Sequence, residues 1–278
     1  MVSKQLSVFD NHWLSLAASQ ADNDSWVKQV VKDIKGSGGI YLCILRIWFQ
    51  RFPLKSNKVK GHLKEGLESF NTKDHLGAVN ELSWWELMTS FGWSAQPLPA
   101  FTTSRPDFHI LTPTDFFCEV TTLNVSEKDR MLLDSGKGVR LNHGPTIGRI
   151  LRKITNSKKE QIEYGASKKK SSILVLFDYT TWSGFGARLY RELVHYLLGE
   201  NFGFLSLPSE LSAMIYTERK VIDGHIVISK ERSAVYHNPQ AVYPIPETIF
   251  QMMRQFFLRL DEVEPSEFIT TKDHWFLL

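Results

Sequence analysis

Only two cysteines occur in 278 residues, without a CxxC pair, and both sit in apolar strings, YLCIL around Cys43 and FFCEV around Cys118. A disulfide-stapled scaffold and a cysteine-based zinc site are therefore not expected; two buried free thiols of a cytosolic protein are. The nine histidines are scattered and no HExxH occurs, so no zinc protease motif is available. A nucleophile-elbow GxSxG is also missing. Gly184-x-Gly186 lacks the third glycine of a dinucleotide fingerprint and reads as a turn. Long apolar runs are absent as well: Gly39 to Phe49 is broken by Arg46 and falls short of the roughly 20 residues of a membrane span. Asp10 and His12 interrupt any secretory signal. Charge of one sign is scarce, since 33 basic residues face 30 acidic ones for a net +3. Any contact with nucleic acid must then be local.

What is present is ordinary folded-protein composition, 42% hydrophobic and 23% charged, in a chain long enough for one elaborated domain or two small ones. Residues 1–72 read as helix-rich, with a helix from Trp26 to Ile34, a Gly-Ser-Gly-Gly break at 36–39 and the apolar segment Ile40 to Phe52. That segment is expected inside its own domain rather than in a dimer interface. From His75 to Ser90 the positions Leu76, Val79, Leu82, Trp85, Leu87 and Met88 fall mostly on one helical face. Asp107–Leu111 and Phe116–Thr122 predict a β-hairpin over the turn at 112–115. The stretch 124–144 is too mixed to assign. A helix follows from Pro145 to about Tyr164, Lys168–Lys170 form a basic turn, and SILVLFDYT is a buried strand. Beyond it a helix is expected around 189–198, a hairpin of Leu211–Val221 with His225–Lys230 across Asp223-Gly224, an ordered loop at 234–246, and a tail helix opened by Pro246. This ordering predicts an α/β fold with a mixed central sheet flanked by helices. The division expected is 1–72 as a helical region packed on the core and 73–278 as the α/β domain.

Closing the first hairpin over that turn puts Asp107 roughly opposite Glu119 on the neighbouring strand, and facing Cβ atoms in such a pair lie about 4.5–5.5 Å apart. Two facing carboxylates cost stability unless a cation sits between them, and a divalent ion held by carboxylate oxygens is the usual solution. Glu119 stands in FFCEVTTL, where a core strand favours an apolar residue. On the following helix Ile150, Leu151 and Ile154 mark the buried stripe, whose continuation reaches Lys158 and Gln161. Lys153, Lys159, Glu160 and Glu163 are expected on its other faces. Between Arg149 and Lys170 eight Lys or Arg stand against two Glu, a local excess suited to phosphate binding, with Lys159, Lys168, Lys169 and Lys170 as the candidate contacts.

Pro106-Asp107, the strand Glu119, Glu81 in the preceding helix and Lys158 in the following one together resemble the PD-(D/E)xK, or restriction-endonuclease-like, nuclease superfamily. The resemblance covers roughly residues 75–180. It implies a core of helix, three-stranded meander, helix and strand, and a Mg2+- or Mn2+-dependent phosphodiesterase acting on nucleic acid, DNA more than RNA, in DNA processing or defence against foreign DNA. Glu81, Asp107 and Glu119 would hold the metal, and Asp107, Glu119, Lys158 and Gln161 would form the catalytic set. Thr121 occupies the position usual for lysine in the motif. Two readings follow: an enzyme whose lysine has moved to Lys158, or a catalytically inactive nuclease-fold module that binds nucleic acid or a protein partner. A homodimer would suit cleavage of both strands.

Overall fold

The computed structural model describes residues 6–23, 25–53, 57–99, 105–123, 143–178, 189–198, 203–258 and 274–276. The mixed stretch after 123, the glycine pair at 184 and 186, and Trp182 lie outside them. Four helices come first: α1 (Asn11–Gln20), α2 (Trp26–Lys32), α3 (Ser37–Arg51) and α4 (Asn57–Leu67). Their starts are locally encoded. Asp10 caps α1 by accepting from Trp13 N at 2.8 Å, and Ser25 caps α2 through Lys28 N at 3.1 Å. The glycines at 36–39 do not break the chain as expected, because Gly36 is the cap of α3 and Gly38 and Gly39 lie within its first turn. They serve close approach instead: a Cβ on Gly38 would stand 2.1 Å from the carbonyl oxygen of Val30 in α2.

α5 (Thr72–Ser90), capped by Asn71, is buried around most of its circumference rather than on one face, since Trp84, Trp85, Leu87 and Met88 are all covered. A helix enclosed in this way is a central core element. It lies under a seven-stranded mixed sheet built from β1 (Ser94–Pro97), β2 (Phe108–Thr112), β3 (Phe116–Leu123), β4 (Ser171–Asp178), β5 (Ala213–Thr217), β8 (Ala234–His237) and β9 (Arg254–Phe256), adjacent in that order. β1, β2 and β3 form an antiparallel meander. β4 then adds in parallel to β3, and β5 in parallel to β4, each after a helical connection; the one between β3 and β4 is a crossover. That crossover is α6 (His143–Arg152), a π-helical segment at Lys153–Ser157 and α7 (Lys159–Ser167), so the single expected helix is interrupted in its middle. α8 (Leu189–Leu198) lies between β4 and β5 in the chain.

The sheet is covered on both faces. Along β4, Ile173, Val175 and Phe177 join the core shared with α1–α3 and α5, while Leu174 and Leu176 join the one under α6, α7 and α8. That alternation explains why β4 reads as a continuous apolar run. The first core runs from the N-terminal helices through α5 into the sheet without a gap, so residues 1–72 share it with the rest of the chain.

Three expectations in the C-terminal third need correction. β5 belongs to the central sheet, and only β6 (Arg219–Ile222) forms the hairpin with β7 (His225–Ser229) over Asp223-Gly224. β10 (His274–Phe276) completes that second sheet. The segment expected as a loop from 234 begins with β8, and Pro246 opens a 3-10 turn at Glu247–Phe250 followed by β9 rather than a long helix. Tertiary pairing outweighed local propensity in both places.

No described helix is long and apolar enough to cross a membrane. Cys118 is buried as expected, but Cys43 is exposed with Ile40 and Ile47 on the outer face of α3. Burial also pushes the Cys118 thiol well above its usual range. A thiol reagent should therefore label Cys43 at once and Cys118 only after denaturation, as mass spectrometry of labelled peptides would show. Rapid double labelling of the native protein would contradict this packing.

Candidate active-site cleft

Three stretches of chain converge on a cavity of about 560 Å3. α4 and α5 form one wall, through His62 and Gly66 and through Lys73, Gly77 and Glu81, which recur every four residues along one line of α5. Gly77 keeps the middle of that line open, since a Cβ there would meet nothing within 4 Å. Asp107 and the β3 residues Glu119 to Thr122 form the floor, and Lys153 and Lys158 close the other side. Glu81, Asp107, Glu119 and Lys158, four of the five residues singled out as a metal and catalytic set, thus line one space, and Gln161 does not.

The hairpin register explains the floor. Phe108 pairs with Cys118 and His109 with Phe117, so the next step outward sets Asp107 against Glu119. Asp107 Oδ2 accepts from Val120 N at 2.8 Å, which fixes the carboxylate over β3. Glu119 is only 4% exposed. Its Oε1 accepts from Lys158 Nζ at 2.5 Å, while its Oε2 is buried without a hydrogen-bond partner.

Burial pushes the Glu119 carboxyl up to about 8, and the Asp107 charge adds to that rise against the pull of Lys158. Glu81 is raised well above the usual carboxylate range by burial and then by Asp107 and Glu119. Asp107 is also raised by burial, against the lowering effect of the Val120 N–H, Lys158 and His62. Burial alone would lower Lys158, but Glu119 outweighs it and holds the ammonium above its ordinary value. The cleft is a cluster of carboxylates short of positive charge.

Among the described residues no group of three or more His, Cys, Asp or Glu side chains is gathered as it stands for a metal ion. Lys158 supplies the compensating charge at Glu119.

The side opposite α5 owes its arrangement to the π segment. At 3.6 residues per turn, positions five apart on an α-helix diverge by about 140°. Here Lys158 N donates to Lys153 O at 2.8 Å, an i to i+5 bond, and such a turn stacks positions five apart. Lys153 is therefore brought to the Lys158 side rather than to another face as expected. Its Nζ donates to Thr121 Oγ1 at 3.0 Å, so an ammonium stands at the strand position whose own side chain is not a lysine. Burial, followed by the charges of Lys158 and Lys73, lowers Lys153. Sequence periodicity missed Lys153 because it assumed an unbroken α-helix.

Other candidates are not brought into the cleft. Gln161 lines a separate cavity with Asn156, Ser157 and Glu160, because Lys158, just before α7, departs from the α-helical backbone. Lys159 pairs with Glu163 at 3.6 Å on the exposed surface. Lys170 forms an ion pair with Asp115, which also accepts from or pairs with His109 at 2.7 Å, and lies 5.9 Å from the Phe117 ring centre. Lys168 stands 5.6 Å from the Tyr164 ring centre. Lys169 adopts a left-handed φ of 56°. None of these lines the carboxylate cavity.

No family model, curated protein or solved structure matches the chain.

Proposed function

We propose that the chain is a restriction-endonuclease-like, divalent-metal-dependent nuclease that hydrolyses phosphodiester bonds in nucleic acid, DNA more than RNA. The observation that carries this reading is Lys158 Nζ donating to Glu119 Oε1 in a cavity also lined by Glu81 and Asp107. The order of α5, the β1–β2–β3 meander, the α6–α7 crossover and the parallel β4 supports it further.

A hard cation such as Mg2+ or Mn2+ fits the donor chemistry. Oxygen is the preferred ligand of such ions, and Glu119 Oε2 is a buried acceptor with no partner. Glu81, Asp107 and Glu119 would hold the ion, which when bound would supply Lewis acidity and charge neutralisation at the phosphate. The chain's own residues carry the remainder. Attack of water on phosphorus, with departure of the alkoxide, concentrates negative charge on the phosphate oxygens. Lys158, already turned into the cleft, would donate a hydrogen bond to one of them and strengthen it as charge develops. Lys153, anchored at Thr121, adds a second fixed positive charge on the same wall.

The purified protein, incubated with DNA and RNA, should cleave with Mg2+ or Mn2+ and not with EDTA. Glu119→Gln should abolish cleavage. Mn2+ should raise the melting temperature of wild type more at pH 8 than at pH 6, because protons compete for carboxylates whose affinity for them is raised. Nucleic-acid binding without cleavage under any divalent ion would make the chain a nuclease-fold binding module. Absence of both binding and cleavage would reject the reading.

A further inference from the structure

Next to the carboxylate cavity lies a second one of about 240 Å3, lined by Leu123, Arg149, Arg152, Lys153 and Ser157. No acidic residue is among its described lining. Lys153 lines both spaces, so the two adjoin along its side chain. The helical geometry accounts for the clustering. Arg149 and Arg152 at the end of α6 and Lys153 at the start of the π segment stand at i, i+3 and i+4 and share a face, while Ile150 and Ile154 on another face are fully buried and fix the helix against the sheet. The π turn then directs the line of positive charge toward Lys158. The described lining thus presents three cationic side chains on one face of the helix, beside the cleft.

We propose that this basic pocket is the subsite for a phosphate neighbouring the scissile one, so that the substrate strand runs from the cleft across Lys153 toward Arg149 and Arg152. This rests on the reading of the cleft as a phosphodiesterase site. A single phosphate monoester would need only one anion site, whereas a polyanionic strand presents a phosphate at every nucleotide. Two adjoining sites, one with carboxylates and one whose described charged lining is basic, suit the strand. Recognition through phosphates positions the chain without selecting bases. The same proposal moves the nucleic-acid contact away from Lys168, Lys169 and Lys170, two of which are engaged with Asp115 and with aromatic rings.

The test is equilibrium binding in EDTA, followed by fluorescence anisotropy, with labelled single- and double-stranded DNA and RNA over a salt series. Arg149→Ala/Arg152→Ala should weaken binding of the preferred strand by about tenfold or more and reduce the slope of log affinity against log salt by about 0.7 for the one lost phosphate contact on a single strand. Lys168→Ala/Lys169→Ala/Lys170→Ala should change both much less. Arg152 is exposed, so Arg152→Glu alone, which preserves the buried surface, keeps the test open if the double variant does not fold. It should weaken binding more than neutral substitution. Unchanged affinity and slope in the Arg149 and Arg152 variants, with wild type binding or cleaving nucleic acid, would overturn the subsite and leave the cleft reading intact. Failure of wild type to bind any of the four probes would overturn both.

Discussion

Lys158→Ala is expected to lower the rate of metal-dependent cleavage by about three orders of magnitude, the effect of removing one preorganised donor to a developing oxyanion. Substrate affinity should change little, since the loss falls on the transition state. The fold should persist, because Lys158 caps a helix boundary through its backbone and its side chain is part-exposed. A second readout concerns pH. The Glu119 carboxyl is raised to about 8 in the folded protein, so its contribution to stability is fully present below its unfolded value and is lost as pH rises through about 8. Removing the Lys158 ammonium leaves the carboxylates without their nearest cation, deepens that loss and extends it to higher pH. Without added metal, the melting temperature of Lys158→Ala should fall more steeply between pH 6 and pH 9 than that of wild type, whereas Glu119→Gln should flatten the profile. Cleavage by Lys158→Ala at the wild-type rate would remove this lysine from the mechanism. Thr121→Lys is the complementary probe: partial rescue of Lys158→Ala would place both positions within reach of one phosphate.

The second large effect is on stability and arises one residue before Glu81. Asn80 in α5 is 1% exposed; its Nδ2 donates to Thr122 Oγ1 in β3 at 2.9 Å and its Oδ1 accepts from Arg219 Nε in β6 at 2.8 Å. One amide thus joins the helix that carries Glu81, the strand that carries Glu119 and the small second sheet. Arg219 is itself 1% exposed, and a buried guanidinium that loses an acceptor is costly. Asn80→Ala should destabilise the protein by about 3 kcal/mol in urea unfolding. Asn80→Asp, which keeps an acceptor for Arg219 but loses the donor to Thr122, should cost less. Unfolding midpoints within error of wild type for both variants would show that the tether contributes nothing.

Much of this site was legible because it depends on short-range rules. The hairpin itself brings Asp107 close to Glu119, but a four-residue turn at 112–115 would set Asp107 against Val120; it is the observed pairing of Ile110 with Phe116 that sets it against Glu119. Lys158 followed from extending the apolar stripe of its helix, whereas Glu81 was singled out by the motif resemblance and not by periodicity. Lys153 did not follow from periodicity, because whether a helix carries an extra residue in one turn is decided by what its two halves pack against: Ile150 before the interruption, Ile154 within it and Ile162 after it are all buried in the same core. Gln161, in phase with Lys158 on an ideal helix, lines a different cavity, because Lys158 itself departs from the α-helical backbone (φ −117°, ψ 11°) and breaks the phase between them. The basic turn at 168–170 looked available because its partners lie far away in the chain, with Asp115 at the other end of the sheet's first hairpin.

By itself the sequence determined the helix at 72–90, the β2–β3 hairpin, a helical connection leading to the buried strand β4, and the α/β class with a mixed sheet, all of which are local consequences of periodicity and turn chemistry. Only the tertiary structure decided that Ala213–Thr217 and Ala234–His237 join the central sheet, that Cys43 faces outward, that Arg219 is buried, and that a π turn carries Lys153 to Thr121. Those outcomes depend on contacts between residues far apart in the chain. Their energies outweigh the fractions of a kilocalorie per residue by which local propensity distinguishes one conformation from another.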